Sequence, residues 1–247
     1  MSYSVPTILE MLGAGMHYGH RSSRWHPKME PYIFAERNGI HIINLEKTAA
    51  LFAKALDFMR DTVANGGVVM LVGTKEQASA VVERAGLETG MPYVNRRWLG
   101  GTLTNFRMLK DNLLGKYLDI KGKLERGELG KYTKLEQLEF SKKTADMNKK
   151  IGGISSLTKL PEAIFILDIR KEVTAFTEAK DTKVPIVAIC DSNVNPDGVA
   201  YPIPSNDDSV KTIELVFALV TEAIKEGKRL HEQNILAAAA VAPAVQA

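Results

Sequence analysis

Three short apolar runs constrain the fold of this chain more than any other feature. They are Val68–Val72 (V-V-M-L-V), Ala163–Ile169 (A-I-F-I-L-D-I) and Pro185–Cys190 (P-I-V-A-I-C). Each has strand length, and none alternates apolar with polar as a half-exposed strand would. Near-continuous apolar strands belong in a parallel sheet with helices on both faces. Helical patterns fall in the right places. Leu45–Val63 carries Leu51, Ala55, Phe58 and Met59 at steps suited to one helix face, and Asn65-Gly66-Gly67 stops it. Lys75–Thr89 and Glu172–Ala179 read as further helices, and Thr7–Ala14 as a short one behind Pro6. Ser209–Asn234 reads as a long helix with Ser209 as N-cap and an apolar face of Ile213, Val216, Phe217, Val220 and Ile224. Met91–Val94 and Val199–Ile203 are shorter strands, and Tyr32–Glu36 and Ile40–Asn44 form a strand pair across Asn38-Gly39. Strands alternating with helices predict an α/β fold with a mainly parallel sheet.

One segment breaks the alternation. Nothing between Thr104 and Leu160 reads as a strand. Phe106, Leu109, Leu113, Tyr117, Ile120 and Leu124 make a heptad-like seam, with Thr104 placed to cap that helix. Gly127 and Gly130 mark a turn. Thr133-Lys134-Leu135-Glu136 then reads as a capping box that opens a second helix. Its seam is Leu135, Leu138, Phe140, Met147, Ile151 and Ile154. The prediction is an antiparallel helical hairpin, a coiled-coil arm over 105–160, inserted into a sheet domain of 1–104 and 161–235. The alanine-rich tail, 236–247, is expected to be disordered, since a helix this short is marginal in water and Pro243 interrupts it.

Charge is distributed unevenly. The formal net charge is only +3, yet Asn105–Leu160 holds 13 Lys or Arg against 7 Asp or Glu. The rest of the chain is therefore net negative, and the positive charge forms a local footprint in the arm. A single cysteine, Cys190, rules out an intramolecular disulfide and fits a reducing cytosol. No apolar stretch approaches membrane-span length, and the N-terminus lacks the pattern of a signal peptide.

Two segments interleave cations with aromatic rings. Met16–Phe34 (M-H-Y-G-H-R-S-S-R-W-H-P-K-M-E-P-Y-I-F) holds three histidines, Trp25, Arg21, Arg24 and Lys28. Arg96–Phe106 (R-R-W-L-G-G-T-L-T-N-F) sets two arginines and Trp98 before a glycine pair. Cations answer phosphate charge, and rings or guanidinium planes stack on unpaired bases. A strand-to-helix loop with a packed Trp is the plainer reading of the second segment. Either Trp also suits a core filler.

Catalytic and metal motifs are weaker. His17 and His20, with Asp191, Asp197, Asp207 or Asp208, could hold a divalent metal. The plainer reading, preferred here, is that both rings hydrogen-bond backbone and order their loop. Gly73-Thr74-Lys75 follows an apolar strand, but the full phosphate-loop pattern is absent. Gly13-Ala14-Gly15 opens no dinucleotide motif. There is no G-x-S-x-G, and Cys190 lies in an apolar strand where a thiol is inert. Asp168 and Asp191 end strands at the edge where α/β enzymes bind ligands, which is the best argument for a flavodoxin-like enzyme. Their plainer role is loop ordering and pairing with Arg170 or Lys171.

Four blocks decide between these readings: His17–Phe34, Arg97–Phe106, Leu160–Glu172 (L-P-E-A-I-F-I-L-D-I-R-K-E) and Val184–Ser209, with V-P-I-V-A-I-C-D-S-N-V-N-P-D and Y-P-I-P-S-N-D-D-S. Through them the chain resembles the bacterial ribosomal protein S-two family, the second protein of the small ribosomal subunit, from about Pro6 to about Asn234. The resemblance implies a flavodoxin-like three-layer α/β fold with an inserted helical hairpin. It implies a structural constituent of the small subunit with no catalysis and no cofactor, cytoplasmic and not a homo-oligomer. It implies ribosomal RNA at the head–body junction, neighbouring ribosomal proteins, a docking role for the large mobile protein S-one, and no membrane. Carried over block by block, it assigns RNA contact to Arg21, Arg24, Trp25, Lys28, Arg96, Arg97, Asn105, Arg107 and Lys110. In the arm it adds Lys142, Lys143, Lys149 and Lys150. The family's usual glycine before the fourth block is Lys183 in this chain.

Overall fold

The computed structural model describes residues 5–127 and 133–241. Five parallel strands form the main sheet: β4 (Val69–Val72), β5 (Tyr93–Val94), β6 (Ala163–Ile166), β7 (Ile186–Cys190) and β8 (Tyr201–Pro204). Their spatial order is β5-β4-β6-β7-β8. Counted from β4 this is 2-1-3-4-5, the flavodoxin-like order of a doubly wound sheet. The apolar runs alternate between two cores because successive strand side chains point to opposite faces. Val69, Leu71, Phe165, Val187 and Ile189 join one core with α2 (Leu45–Ala64), α3 (Glu76–Thr89) and α8 (Val210–Val241). Met70, Val72, Ile164, Ile166, Ala188 and Cys190 join the other with α7 (Val173–Asp181), Trp98 and the root of the arm. Helices on both faces make the three layers, and the Cys190 thiol lies inside the second core, where burial pushes it up to about 12.

A second sheet lies ahead of the main one. It has the antiparallel order β1-β3-β2, with β1 Tyr18–Arg21, β2 Ile33–Arg37 and β3 Ile40–Ile43. Asn38 and Gly39, both at positive φ, make the expected hairpin turn. The strand β1 was not expected: its residues, Tyr18-Gly19-His20-Arg21, carry no strand period, and its pairing comes from β3. It follows α1 (Ile8–Ala14), which Thr7 and Glu10 open with a capping box and Gly15 ends at φ 83°. Lys183, the position where the resemblance leads one to expect glycine, sits at φ 57° in the turn before β7, a left-handed conformation that costs a side-chain-bearing residue about 1 kcal/mol.

The arm leaves the sheet after β5. Its outgoing helix consists of α4 (Phe106–Met108), a π-helical stretch Leu109–Leu114 and α5 (Gly115–Glu125); α6 (Lys134–Ile151) returns. The π stretch corrects the expected seam. It advances the buried face by five residues, from Leu109 to Leu114, so Leu114 is 2% exposed and Leu113 is 37% exposed. Leu114→Ala should therefore cost about 2–3 kcal/mol and Leu113→Ala no more than about 0.5 kcal/mol. Equal losses in urea unfolding would contradict the π register.

The seam of α6 is also revised. Gln137, Phe140, Thr144, Met147 and Ile151 face inward, whereas Leu135 and Leu138 are exposed. The capping box at Thr133 and Glu136 forms as expected, and Tyr117 Oη donates to Asn148 Oδ1 at 2.6 Å across the hairpin. Gly130 of the expected turn lies outside the described residues. Finally, α8 continues through Val241, so the tail expected to be disordered from Leu236 is helical as far as it is described; 242–247 lie outside.

Candidate nucleic-acid interface

The loop after β5 is built around a carboxylate that sequence reasoning missed. Glu178, on α7, is 6% exposed. Its Oε1 accepts from Trp98 Nε1 at 3.0 Å and from the Gly101 N–H at 2.8 Å. Its Oε2 accepts from the N–H groups of Leu103 and Thr104 at 2.9 and 3.2 Å, and from the Thr104 hydroxyl at 3.3 Å. Thr104 therefore serves this carboxylate and does not cap the arm, whose first helical residue follows Asn105 with no side-chain cap. Burial alone would raise the Glu178 carboxyl, but Trp98 and the backbone donors outweigh it and hold the group below its ordinary range. Trp98 is thus a core ring tied inward, and Arg96 and Arg97 are left exposed beside it.

The arm brings a second pair of cations to the same place. Gly153 follows the end of α6 so close to β5 that a Cβ there would collide with the Tyr93 carbonyl oxygen. That approach sets Lys149 and Lys150 against the Arg96–Gly100 loop. Arg96, Arg97, Lys149 and Lys150 then line one cavity of about 420 Å³, with Trp98, Leu99 and Gly100 completing it. Among the described residues no carboxylate pairs with Arg96, Arg97 or Lys150, and Lys149 has only Asp146 at 4.0 Å. Four cations from segments far apart in sequence, three without a counter-charge among the described residues, give the groove a local positive field that suits a polyanion.

The other residues expected to contact RNA are not gathered there. Arg21 and Arg24 are exposed and line a separate cavity with His20, Asn206 and Asp208. Trp25 lies with its ring 5.2 Å from that of His41. Lys28 is ion-paired with Asp197. Arg107 projects into solvent 3.9 Å from Asp111, and Lys110 Nζ donates to the Thr158 carbonyl at 3.1 Å. Asn105 is exposed at the start of the arm, and Lys142 and Lys143 are exposed along α6.

The carboxyl edge of the sheet holds a different cluster. Lys75 Nζ lies 3.0 Å from Asp168, 2.9 Å from Asp207 and 2.7 Å from Asp208. His20 Nδ1 lies 3.1 Å from Asp191, and Nε2 lies 3.6 Å from Asp208. Asp168 orders its loop through the N–H groups of Arg170 and Lys171, as expected, but its ion-pair partner is Lys75 and neither of those residues. The His20 ring pairs with carboxylates and not with backbone, and the buried His17 Nδ1 has no hydrogen-bond partner among the described residues, which corrects the preferred reading of both rings. A His20 nitrogen and oxygens of Asp191 and Asp207 fall within 4.8 Å of one another, so these residues could hold a divalent cation. The Lys75 ammonium already neutralises part of that charge, and the cluster fastens β1 to the ends of β7 and β8.

This cluster gives a pH dependence. Burial pushes the Asp207 carboxyl up to about 7, with Asp168 and Asp191 adding to the rise and Lys75 opposing it. The hydrogen bond to Asp191 raises His20 above its ordinary value despite partial burial. Both groups bind protons more tightly folded than unfolded, so the stability they contribute is complete at low pH and lost as pH rises through the folded values. For Asp207 the window runs from about 4 to about 7. Thermal melts at about pH 5 and pH 8 should show a fall in melting temperature that Asp207→Asn reduces. An unchanged fall would contradict the assignment.

Comparison with known proteins bears on the whole chain. A family model described as Ribosomal protein S2 matches residues 11–227. The chain is 43% identical over 237 residues to a protein named "Small ribosomal subunit protein uS2" from Corynebacterium glutamicum (strain R), covering 96% of this chain and 89% of that one. It is 42% identical to the protein of the same name from Corynebacterium diphtheriae, again over 96% of this chain and 89% of the relative.

Proposed function

The chain belongs to the ribosomal protein S2 family, and on that premise we propose that it is a structural constituent of the small ribosomal subunit that holds ribosomal RNA in the groove between Arg96, Arg97, Lys149 and Lys150. The observation that carries this reading is the convergence of those four cations, three of them without a carboxylate partner among the described residues. Phosphate contact and shape dominate such binding, and base-edge coding contributes little. Arg21 and Arg24, exposed side by side and assigned by the family resemblance, form a second RNA contact. Membership of this family sets the chain among structural proteins of the ribosome and not among enzymes, which removes a catalytic role for Asp168 and Asp191. Among the described residues no helix is long and apolar enough to cross a membrane.

Two finer assignments complete the proposal. The position at the head–body junction rests on the family resemblance. Docking of the protein S-one is supported by surface chemistry: the β1-β3-β2 sheet presents Tyr18, Phe34 and Ile40 to solvent, with Phe34 73% exposed, around a cavity of about 580 Å³. Beside it in sequence, α1 exposes Ile8, Leu9 and Leu12. Apolar surface of this kind suits a protein partner, as the cationic groove suits RNA. The test is sedimentation of cell extract through sucrose: the protein should travel with the small subunit at moderate salt. A protein found free of subunits in growing cells would overturn the assignment.

A further inference from the structure

The groove that serves the RNA reading is concave, and its shape says more than its charge. A paired RNA helix offers phosphates on its outer surface and needs only a flat or ridged row of cations. Here the cations instead rim a cavity of about 420 Å³, far larger than a single phosphate requires. Leu99 and Gly100 line it beside the cations. No atom lies within 4 Å of where a Cβ on Gly100 would stand, so a side chain there would meet open space. Trp98 is drawn inward by Glu178 and does not fill it. The rim is divided chemically. Arg96 and Arg97 supply planar guanidinium faces, which stack on bases, while Lys149 and Lys150 supply compact charges suited to phosphate.

The geometry points to an unpaired ribosomal RNA nucleotide as the occupant of this cavity, its base against the Arg96 and Arg97 planes and its flanking phosphates on Lys149 and Lys150. This rests on the RNA-binding reading and adds that the groove selects a bulged or looped nucleotide over a continuous duplex. The energetic cost is smallest for a base that is already unpaired, which is the source of the selectivity.

The test uses the full chain and two RNA hairpins of equal length and charge, one fully paired and one carrying a single unpaired 2-aminopurine, with the four natural bases as further versions. The bulged hairpin should bind at least about tenfold tighter, and 2-aminopurine fluorescence should change on binding. Gly100 lines the cavity and is not among the residues at positive φ, so Gly100→Leu is compatible with the backbone and should narrow the space for a base. It should abolish that preference while leaving the melting temperature unchanged. Lys149→Gln with Lys150→Gln should weaken both hairpins. Equal affinity for the two hairpins, with the lysine variant weakening both, would overturn the nucleotide proposal and leave the RNA reading standing. Failure of either hairpin to bind would overturn both.

Discussion

Glu178→Ala should lower folding stability by about 4 kcal/mol, the largest loss expected from any single substitution outside the apolar cores. Removing the carboxylate strands the Trp98 Nε1–H and the N–H groups of Gly101, Leu103 and Thr104. A buried donor left without a partner costs about 1–3 kcal/mol, and water can reach the less buried of these four. Glu178→Gln keeps the shape and one acceptor oxygen, so it should cost less. Because the folded carboxyl is held below its ordinary range, the stability it contributes is present above the unfolded value and lost as pH falls through the folded one. The gap between wild type and Glu178→Gln should therefore close in acid. Urea unfolding near neutral pH and near pH 3, on the order of the carboxylate range, checks both statements. A loss under about 1 kcal/mol for the alanine variant would mean that the loop does not depend on Glu178. The consequence reaches function, because the loop that Glu178 fastens also carries Arg96 and Arg97.

Replacing Arg96, Arg97, Lys149 and Lys150 together by glutamine should weaken binding to small-subunit RNA on the order of a thousandfold at about 0.1 M salt. Each cation that neutralises a phosphate contributes about 0.7–0.9 to the slope of log affinity against log salt, so the slope should fall by about 3. All four side chains are exposed, and stability should change little. The control is an equal loss of charge elsewhere: Lys211, Lys225, Lys228 and Arg229, all on α8, changed to glutamine. Lys225 is paired with Glu88 and Arg229 with Glu226, so this surface has less charge to offer a phosphate. If both quadruple variants lose the same affinity and slope, binding reports net charge and not the groove.

The parts of this molecule that were legible in its sequence depend on neighbouring residues. The apolar runs at Val69–Val72, Ala163–Ile166 and Ile186–Cys190 show their burial directly, and the T-x-x-E box at Thr133 opens α6 as written. The strand β1 was hidden because its partner, β3, supplies the pairing that its own pattern does not suggest. The π-helical stretch was hidden because the heptad reading assumes a constant period, which Leu113, four residues after Leu109, satisfies and Leu114, five after it, does not. Lys75 and Glu178 were missed for a related reason. Their partners lie at Asp168, Asp207 and Asp208 in one case and at 98–104 in the other, far away in the chain. Glu178 did leave one local trace. It sits on the buried stripe of α7 between Ala175 and Ala179, where a carboxylate is out of place unless donors meet it.

The candidate site divides in the same way. Sequence resemblance named the cations one by one, but only folding shows that Arg96 and Arg97 share a cavity with Lys149 and Lys150. It also shows that Lys28 is engaged by Asp197 and that Lys110 is bonded to the Thr158 carbonyl.

The central claim, that RNA lies in the groove between the sheet domain and the root of the arm, is tested most directly by crosslinking the protein to RNA inside the assembled small subunit and mapping the crosslinked peptides. Crosslinks should concentrate at Arg96–Gly100 and Lys149–Lys150, with a second group at Arg21–Trp25. Crosslinks concentrated on α8, with the groove peptides unmodified, would contradict it.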